Sequence, residues 1–595
     1  MLDDNMKAQK VPEHVAQTRA EPEHDAEKVA PVDDDHDPSE DKPDSDDEGK
    51  QAGVRKIEAT ASVWSRKMLW VIFAMIYLVS FVDMLLQSVQ SELVPYVTSA
   101  FRSHGLLATT SVVSTIVGGV SKLTIAKIID IWGRAQGFAI MLLLIIIGMI
   151  MKATCQNVET YAAAQTIFWV GHIGFMYTLD IIIADMTSLK NRMIMVGINT
   201  TPTIATTFAG PKIAELFYNN VNFRWAFGSF AIILAGFSIP MFVIFVLEER
   251  KAKKMGILVK KDSGRTFWQS FQFYFWEFDV VGMLLTMAGF ALILLPFSLA
   301  KSFPKGWADA GPICMIIFGV VSLVLFAVWE KYFARVSYLP FVFLKDRTIL
   351  GASMTYGVMF ISIYCWDTYY SSYLQVVHGL SIANSGYILN SYSLMSSFLS
   401  PFVGVAIAKF GRFKHIAVFS GLPLIALGTG LLTHFRVPGA YVGYLAMCQI
   451  FNGAAGGILA MTSHIAVFSA VSHQEIAVVY AIYGMFGSIG AAIGFAIAGA
   501  IWTNVLPQKL EQFLPDDSKN LSSAIYGSLP TQLSYPMGSP IRDAIIEAYS
   551  DVQRKMVIAG GCFIPLLAVV VFIWRDINVK KIEQERGRQT KGNVW

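Results

Sequence analysis

Three ionisable side chains stand inside long apolar runs, where each is costly: Asp83, Lys122 and His172. A charge at the centre of a membrane helix costs roughly 2.5–3.5 kcal/mol on insertion scales, so each needs a partner or a task. At about 1.5 Å per residue, Asp83 lies roughly 22 Å from the start of its run, His172 about 18 Å and Lys122 about 24 Å into theirs. Desolvation raises the proton affinity of such a carboxylate and a nearby cation lowers it, so the affinity switches when the surroundings change. That is the chemistry of proton coupling, and these three residues are its candidates. The alternative for Asp83 is a fixed ion pair. For His172 it is a neutral packing role, although an ordinary pKa near 6.5 suits a group that responds to acid.

Groups able to hold a cargo lie elsewhere. Gln449 and Asn452 sit about 12–17 Å into their run, followed by Gly453, Gly456 and Gly457. Their amides would bind the polar face of a cargo or bond between helices. Tyr364, Trp366, Tyr369, Tyr370 and Tyr373 cluster at one run's end, where an aromatic belt at the membrane surface is the simplest explanation and a packing surface for cargo the alternative. The chain has no P-loop, nucleophile elbow or H-E-x-x-H, so nothing points to catalysis or ATP hydrolysis. No cofactor is expected, and any work done by these groups must draw on an ion gradient. The five cysteines are scattered singly through apolar runs, with no metal-ligand spacing and no disulfide framework.

The elements that must position these residues are membrane helices. The chain is 54% hydrophobic, with a mean hydropathy of +0.49. Apolar runs recur at the length of about 20 residues that a bilayer core requires. We read fourteen spans, from 68–89 through 194–217, the fifth, to 556–574, giving an all-α membrane protein. Of 47 basic and 44 acidic side chains, 6 and 17 fall in residues 1–50, so the remainder is basic. Residues 1–60 read as a disordered acidic tail, and no apolar run marks them as a secretory signal.

Two turns repeat 278 positions apart: Ala126-Lys-Ile-Ile-Asp130-Ile-Trp-Gly133-Arg134 and Gly404-Val-Ala-Ile-Ala408-Lys-Phe-Gly411-Arg412. Such repetition implies a duplicated transporter architecture. The first copy follows span two and the second follows span ten, not span eight. Two helices, spans seven and eight, are therefore inserted between two six-helix halves. The resulting division is 61–250, 251–345 with a linker and the inserted pair, 346–575 including an outer loop at 502–555, and a tail at 576–595. The basic residues of alternate turns place both termini in the cytosol. The sequon Asn520-Leu-Ser522 then falls outside, where it would be glycosylated.

The first turn, read against G-x-L-A-D-R-x-G-R-K, resembles the major facilitator superfamily, with Ala126 for the first Gly, Ile131 for the Arg after Asp, and Ala408 for the second Asp. A narrower resemblance is to the fungal siderophore-iron transporters. It rests on Tyr96-Val-Thr-Ser-Ala-Phe101, Val170-Gly-His172, the stretch from Asp180 through Asp185 to Arg192, Ala209-Gly-Pro211, and Ser534-Tyr535-Pro536-Met-Gly538-Ser-Pro540-Ile-Arg542 with Tyr549. This resemblance implies a major facilitator fold of fourteen helices and proton symport. The imported cargo would be a ferric siderophore, probed through its organic shell, across the fungal plasma membrane.

The resemblance also implies a cytosolic gate at the two turns, with Asp130, Gly133, Arg134, Gly411 and Arg412. Asp180 and Asp185, about 30 Å or more along their run, fall at the same interface with Arg192, in gate or loop-capping roles. Thr187 or Ser188 would cap the short helix that follows Asp185. Segment 502–555 would supply a lid bearing Tyr535, Pro536, Gly538, Arg542 and Tyr549. Expected partners are the siderophore and the bilayer, with no nucleic acid and a monomeric carrier. A glutathione or drug exchanger driven by protons, or a nutrient sensor without net transport, is the alternative.

Overall fold

A computed structural model describes residues 64–187, 189–255, 264–471 and 475–586, together with Lys56, Ile57 and Thr60. Of the tail expected to be disordered, Lys56, Ile57 and Thr60 are helical, and Lys56 pairs with Glu249 at 2.7 Å. The rest of residues 1–60, Ser188 and residues 587–595 fall outside the described residues. Side-chain caps set many helix starts. Asn157 accepts the Thr160 amide at 2.7 Å, Asn222 that of Trp225 at 2.9 Å, and Asp346 that of Thr348 at 2.7 Å.

In chain order the helices of the first half are α1 (Arg66–Ala100), α2 (Leu107–Trp132), α3 (Arg134–Thr154), α4 (Val158–Met186), α5 (Leu189–Thr200), α6 (Pro202–Asn220) and α7 (Phe223–Lys254). A short helix, α8 (Phe267–Glu277), leads to α9 (Val280–Leu299) and α10 (Ala310–Tyr332). There follow α11 (Arg347–Asp367), α12 (Tyr370–His378), α13 (Ile382–Phe410), α14 (Leu422–Phe435), α15 (Val442–Ser469) and α16 (Ile476–Phe513). Two short outer helices, α17 (Ser522–Gly527) and α18 (Leu529–Leu533), precede α19 (Pro540–Gly561), α20 (Ile564–Ile573) and α21 (Val579–Arg586).

Thirteen helical stretches among the described residues are long and apolar enough to cross a membrane. The expected fifth span, 194–217, is instead two helices meeting at Thr201, because Pro202 starts α6 at its first turn and supplies no amide to α5. Counting that pair as one crossing is compatible with fourteen. The expected outer segment 502–555 is largely helical: α16 runs on to Phe513 and α19 begins at Pro540, leaving 514–539 to form the loop with its short helices. The Thr187 hydroxyl donates to the Ile183 carbonyl at 2.7 Å, within the end of α4.

The two halves meet along two seams, α2 against α16 and α5–α6 against α13. Helix α9 packs on both α2 and α16, while α10 packs on α9 and is otherwise largely exposed. The inserted pair therefore attaches beside one seam. Close approach along α16 depends on its glycines. A Cβ at Gly490 would lie 2.1 Å from the Gly357 carbonyl oxygen on α11, whereas Gly430 on α14 has nothing within 4 Å. Gly490→Val is expected to destabilise the protein by about 1–3 kcal/mol through overpacking, while Gly430→Ala is expected to stabilise it by about 0.5–1 kcal/mol, since it restricts the unfolded chain and meets no neighbour. Thermal unfolding of the purified protein checks this contrast.

Candidate functional site

The structure pairs two of the three expected proton-coupling residues. Asp83 on α1 is fully buried, and its Oδ1 lies 3.1 Å from Nδ1 of His172 on α4. Its Oδ2 has no hydrogen-bond partner among the described residues. The imidazole lies parallel to the Phe168 ring at 5.9 Å and 5.1 Å from Trp169. Lys152 of α3 places Nζ 3.5 Å from the centroid of the same Phe168 ring and donates to Gln90 Oε1 at 2.7 Å. Lys152 is fully buried. Sequence reasoning passed over it because it ends an apolar run, where a lysine ordinarily snorkels to the surface.

Lys122 stands apart from this pair. It faces the other half, where a Cβ at Gly484 of α16 would lie 2.4 Å from its Nζ. Asp180 is also separate from the buried ionic turn at Arg134, and accepts a hydrogen bond from the Tyr480 hydroxyl of α16 at 2.7 Å. Tyr480 stacks at 4.6 Å on His464 of α15 and at 5.7 Å on Tyr177 of α4. Tyr483, one turn on, stacks at 4.3 Å on Tyr356 of α11 and shares a 2.9 Å hydrogen bond with Ser463. A polar aromatic cluster thus bridges the halves. The only sequence trace of it is Tyr480-x-x-Tyr483-Gly484, which puts both rings on one helical face.

The amide candidates divide. Asn452 is occupied between helices, accepting from Thr429 Oγ1 at 3.0 Å and donating to the Cys448 carbonyl at 3.1 Å. Gln449, fully buried one turn earlier, has no partner for either amide atom among the described residues.

The aromatic group is not a surface belt. Trp366, Tyr369, Tyr370 and Tyr373 are buried in the protein. Tyr370 and Trp366 house Arg436, whose guanidinium is 3.8 Å from the Tyr370 ring and donates to the Trp366 carbonyl and to Gln553 Oε1, each at 2.8 Å. Tyr369 stacks on Trp502 at 3.8 Å and donates to the Gly105 carbonyl at 3.1 Å. Tyr364 packs at 4.4 Å on Phe495 of α16. These rings fill a helix–helix core instead of meeting lipid, a difference that the composition of the run does not reveal.

At the end of the bundle bearing the first repeated turn, Arg134 bonds Asp130 Oδ1 at 2.9 Å and Asp185 Oδ2 at 3.0 Å, all three groups nearly inaccessible. Gly133 makes the turn at φ +107°. Arg192 donates to the Ala184 and Thr187 carbonyls at 3.1 and 3.2 Å, closing the end of α4, and lies 5.7 Å from the Phe468 ring of α15. The second turn is built differently. Gly411, at φ +77°, accepts the Val579 amide at its carbonyl, and Arg412 bridges to Asn578 through the backbone. The Arg412 side chain, 58% exposed, is 3.5 Å from Asp576. Its carboxylate partner thus comes from beyond α20, not from position 408.

At the opposite end, Tyr96 of α1 hydrogen-bonds Gln375 of α12, Gln375 donates to Ser371 at 3.2 Å, and Ser371 donates to Glu92 at 3.3 Å. The loop 514–539 joins this contact: Leu529 donates its amide to Ser99 Oγ at 3.0 Å. Arg542 is buried and donates to the carbonyls of Val376 at 3.2 Å, Gln375 at 3.3 Å and Gln532, while the Tyr549 hydroxyl bonds Gln532 Oε1. Tyr535 is partly exposed, and Pro536, Gly538 (φ +81°) and Asn520 are exposed. Arg542→Ala strands these carbonyls and is expected to cost about 3 kcal/mol. The signs would be earlier thermal unfolding and faster proteolysis near 516–521, and a wild-type profile would exclude the anchoring role.

Comparison with known proteins agrees with this architecture. The Major Facilitator Superfamily family model matches residues 76–494. The chain is 52% identical over 545 residues to "MFS siderochrome iron transporter 1" of Ajellomyces capsulatus, covering 92% of this chain and 94% of that one. It is 41% identical to "Siderophore iron transporter mirB" of Emericella nidulans, covering 90% and 89%. Among solved structures, an inward-facing, unoccupied bacterial homolog of the human lysosomal transporter Spinster superposes with a TM-score of 0.54 at 12% identity. That match covers 89% of this chain and 99% of that one, and it supports the fold alone. Carrying the twin Gly-Arg turns on two helical halves, this multi-pass membrane protein is a transporter, not an enzyme, and belongs to the fungal siderophore-iron transporter family of the major facilitator superfamily.

Proposed function

We propose that the protein imports ferric siderophore complexes, of the hydroxamate type, with protons across the fungal plasma membrane by alternating access. The observation that carries the coupled reading is the buried Asp83–His172 pair with one carboxylate oxygen unpartnered. A carboxylate in such a place gains or loses a proton according to which side its surroundings open to. The names of the relatives support the cargo class. Iron crosses as part of its chelate, and the protein recognises the organic shell. Gln449, whose amide atoms have no partner among the described residues, and the Tyr356, Tyr480 and Tyr483 cluster are the proposed cargo contacts.

In the proposed cycle, Asp83 takes a proton while the outer end is open, and cargo enters. The halves rock until the Tyr96–Gln375–Ser371–Glu92 contact closes the outer end. The turns at Arg134 and Arg412 then part and release cargo to the cytosol. In this reading both termini lie in the cytosol, the carrier acts as a monomer, and Asn520 carries a glycan. The test is uptake of radiolabelled iron from a siderophore panel in cells lacking other carriers. Uncoupler-sensitive accumulation is expected for at least one hydroxamate complex, and none across the panel overturns the reading.

A further inference from the structure

Helix α8 carries seven aromatic side chains in eleven residues, Phe267-Trp-Gln-Ser-Phe-Gln-Phe-Tyr-Phe-Trp-Glu277, and buries none of them. At about 1.5 Å per residue it is roughly 16 Å long, half of what a bilayer core requires. A capping box between Thr266 and Gln269 fixes its start. One part docks on the protein. Tyr274 meets Trp132 edge-on at 5.4 Å, Trp276 stacks on Trp329 at 5.9 Å, and Lys127 Nζ donates to the Glu277 carbonyl at 3.2 Å. The other part is largely uncovered among the described residues: Phe267 is 88%, Trp268 69% and Phe271 54% exposed. Beyond Trp329, which stacks on Phe333 at 6.0 Å, Tyr332 and Phe333 are exposed too, at the end of α10, the helix that is itself mostly uncovered.

Cations precede the same helix in the chain. Lys251 and Lys253 have Glu248 and Glu249 as neighbours, but among the described residues no carboxylate pairs with exposed Arg250, Lys254 or Arg265. The Arg265 guanidinium lies 3.7 Å over the Phe273 ring, at the junction of the charged and aromatic surfaces. An aromatic face with Arg265 over it, and further cations that have no carboxylate partner among the described residues, matches the boundary between acyl chains and anionic headgroups.

We propose that α8 lies in the plane of the membrane surface with Phe267, Trp268 and Phe271 among the acyl chains, and that Arg250, Lys254 and Arg265 bind anionic phospholipid headgroups. Because Trp132 directly precedes Gly133-Arg134, the lipid contact is seated on the first repeated turn.

The test uses the full chain in liposomes and needs no cargo, so its outcome is separate from that of the transport assay. With exposed Cys314 and Cys562 changed to Ser, nitroxide labels are placed at Phe271→Cys and, as an aqueous reference, Asn520→Cys. Lipid-soluble oxygen is expected to relax the label at 271 more than a water-soluble nickel chelate does, and the reverse is expected at 520. A label at 271 that behaves like that at 520 overturns the membrane placement. Spin-labelled phosphatidylserine is expected to associate with the wild-type chain about threefold more than spin-labelled phosphatidylcholine does. The preference should vanish in the combined Arg250→Gln, Lys254→Gln, Arg265→Gln variant. No wild-type preference, or one that persists in the variant, overturns the headgroup site.

Discussion

Replacing Arg134 by Gln is expected to abolish transport and to destabilise the protein by about 3–5 kcal/mol, the usual cost of leaving a buried charge unpaired. The guanidinium sits between Asp130 at 2.9 Å and Asp185 at 3.0 Å, and none of the three groups has much access to water. Without it, two carboxylates repel each other across the gap that the Arg filled. Asp130→Asn is gentler on stability, because Asp185 still balances Arg134, but it removes half of the charge pairing at the end where the gate is proposed. Transport should therefore fall much more than thermal stability.

The second turn supplies the contrast. Arg412 is largely exposed and 3.5 Å from Asp576, and such pairs contribute about 0–1 kcal/mol. Ala408→Asp would add a carboxylate one turn before an arginine that already has a partner, so transport and stability should stay near wild type. Uptake into proteoliposomes and the unfolding midpoint in detergent measure both effects. Equal losses from Asp130→Asn and Ala408→Asp would refute the asymmetry of the two turns.

That asymmetry shows how far the sequence can be read. Loss of the acid at Ala408 is visible in the repeat itself, but its replacement by Asp576 is not, because a contact between positions 412 and 576 leaves no periodic trace. Likewise Asp83 and His172 each stand out as ionisable groups in apolar runs, while their pairing across 89 positions requires the packing of α1 on α4. Lys152 escaped notice for the opposite reason. Its place at a helix end is normal for a lysine, and only the Phe168 ring and Gln90 reveal that it points inward.

Tyr369 and Trp502 teach a related lesson about aromatic residues. A cluster near a helix end has the same composition whether it meets headgroups or a neighbouring helix, and the two are separated only by what stands opposite. Here that is a parallel indole at 3.8 Å. The helices themselves were easier to read, since span length follows from bilayer thickness and the insertion of α9 and α10 follows from counting runs between repeats. The break at Thr201 was harder, because a proline at a first helical turn leaves the surrounding apolar run intact.

The second large effect concerns coupling. Asp83→Asn keeps the side chain's shape and one hydrogen-bonding oxygen beside His172, but it cannot exchange a proton. One proton moving inward across about 100 mV is worth about 2.3 kcal/mol, a factor of roughly 50 in the accumulation of an uncharged cargo. The variant should lose that factor, so that labelled siderophore iron equilibrates across the membrane without concentrating. Exchange of external for internal cargo needs no net proton movement and should continue, which separates loss of coupling from loss of fold or of cargo binding. His172→Gln, which preserves the carboxylate, should retain some accumulation. If Asp83→Asn still concentrates cargo and an uncoupler still collapses it, the proton travels elsewhere. Asp180, bonded to Tyr480 across the seam at 2.7 Å, then becomes the carboxylate to test by the same pair of assays.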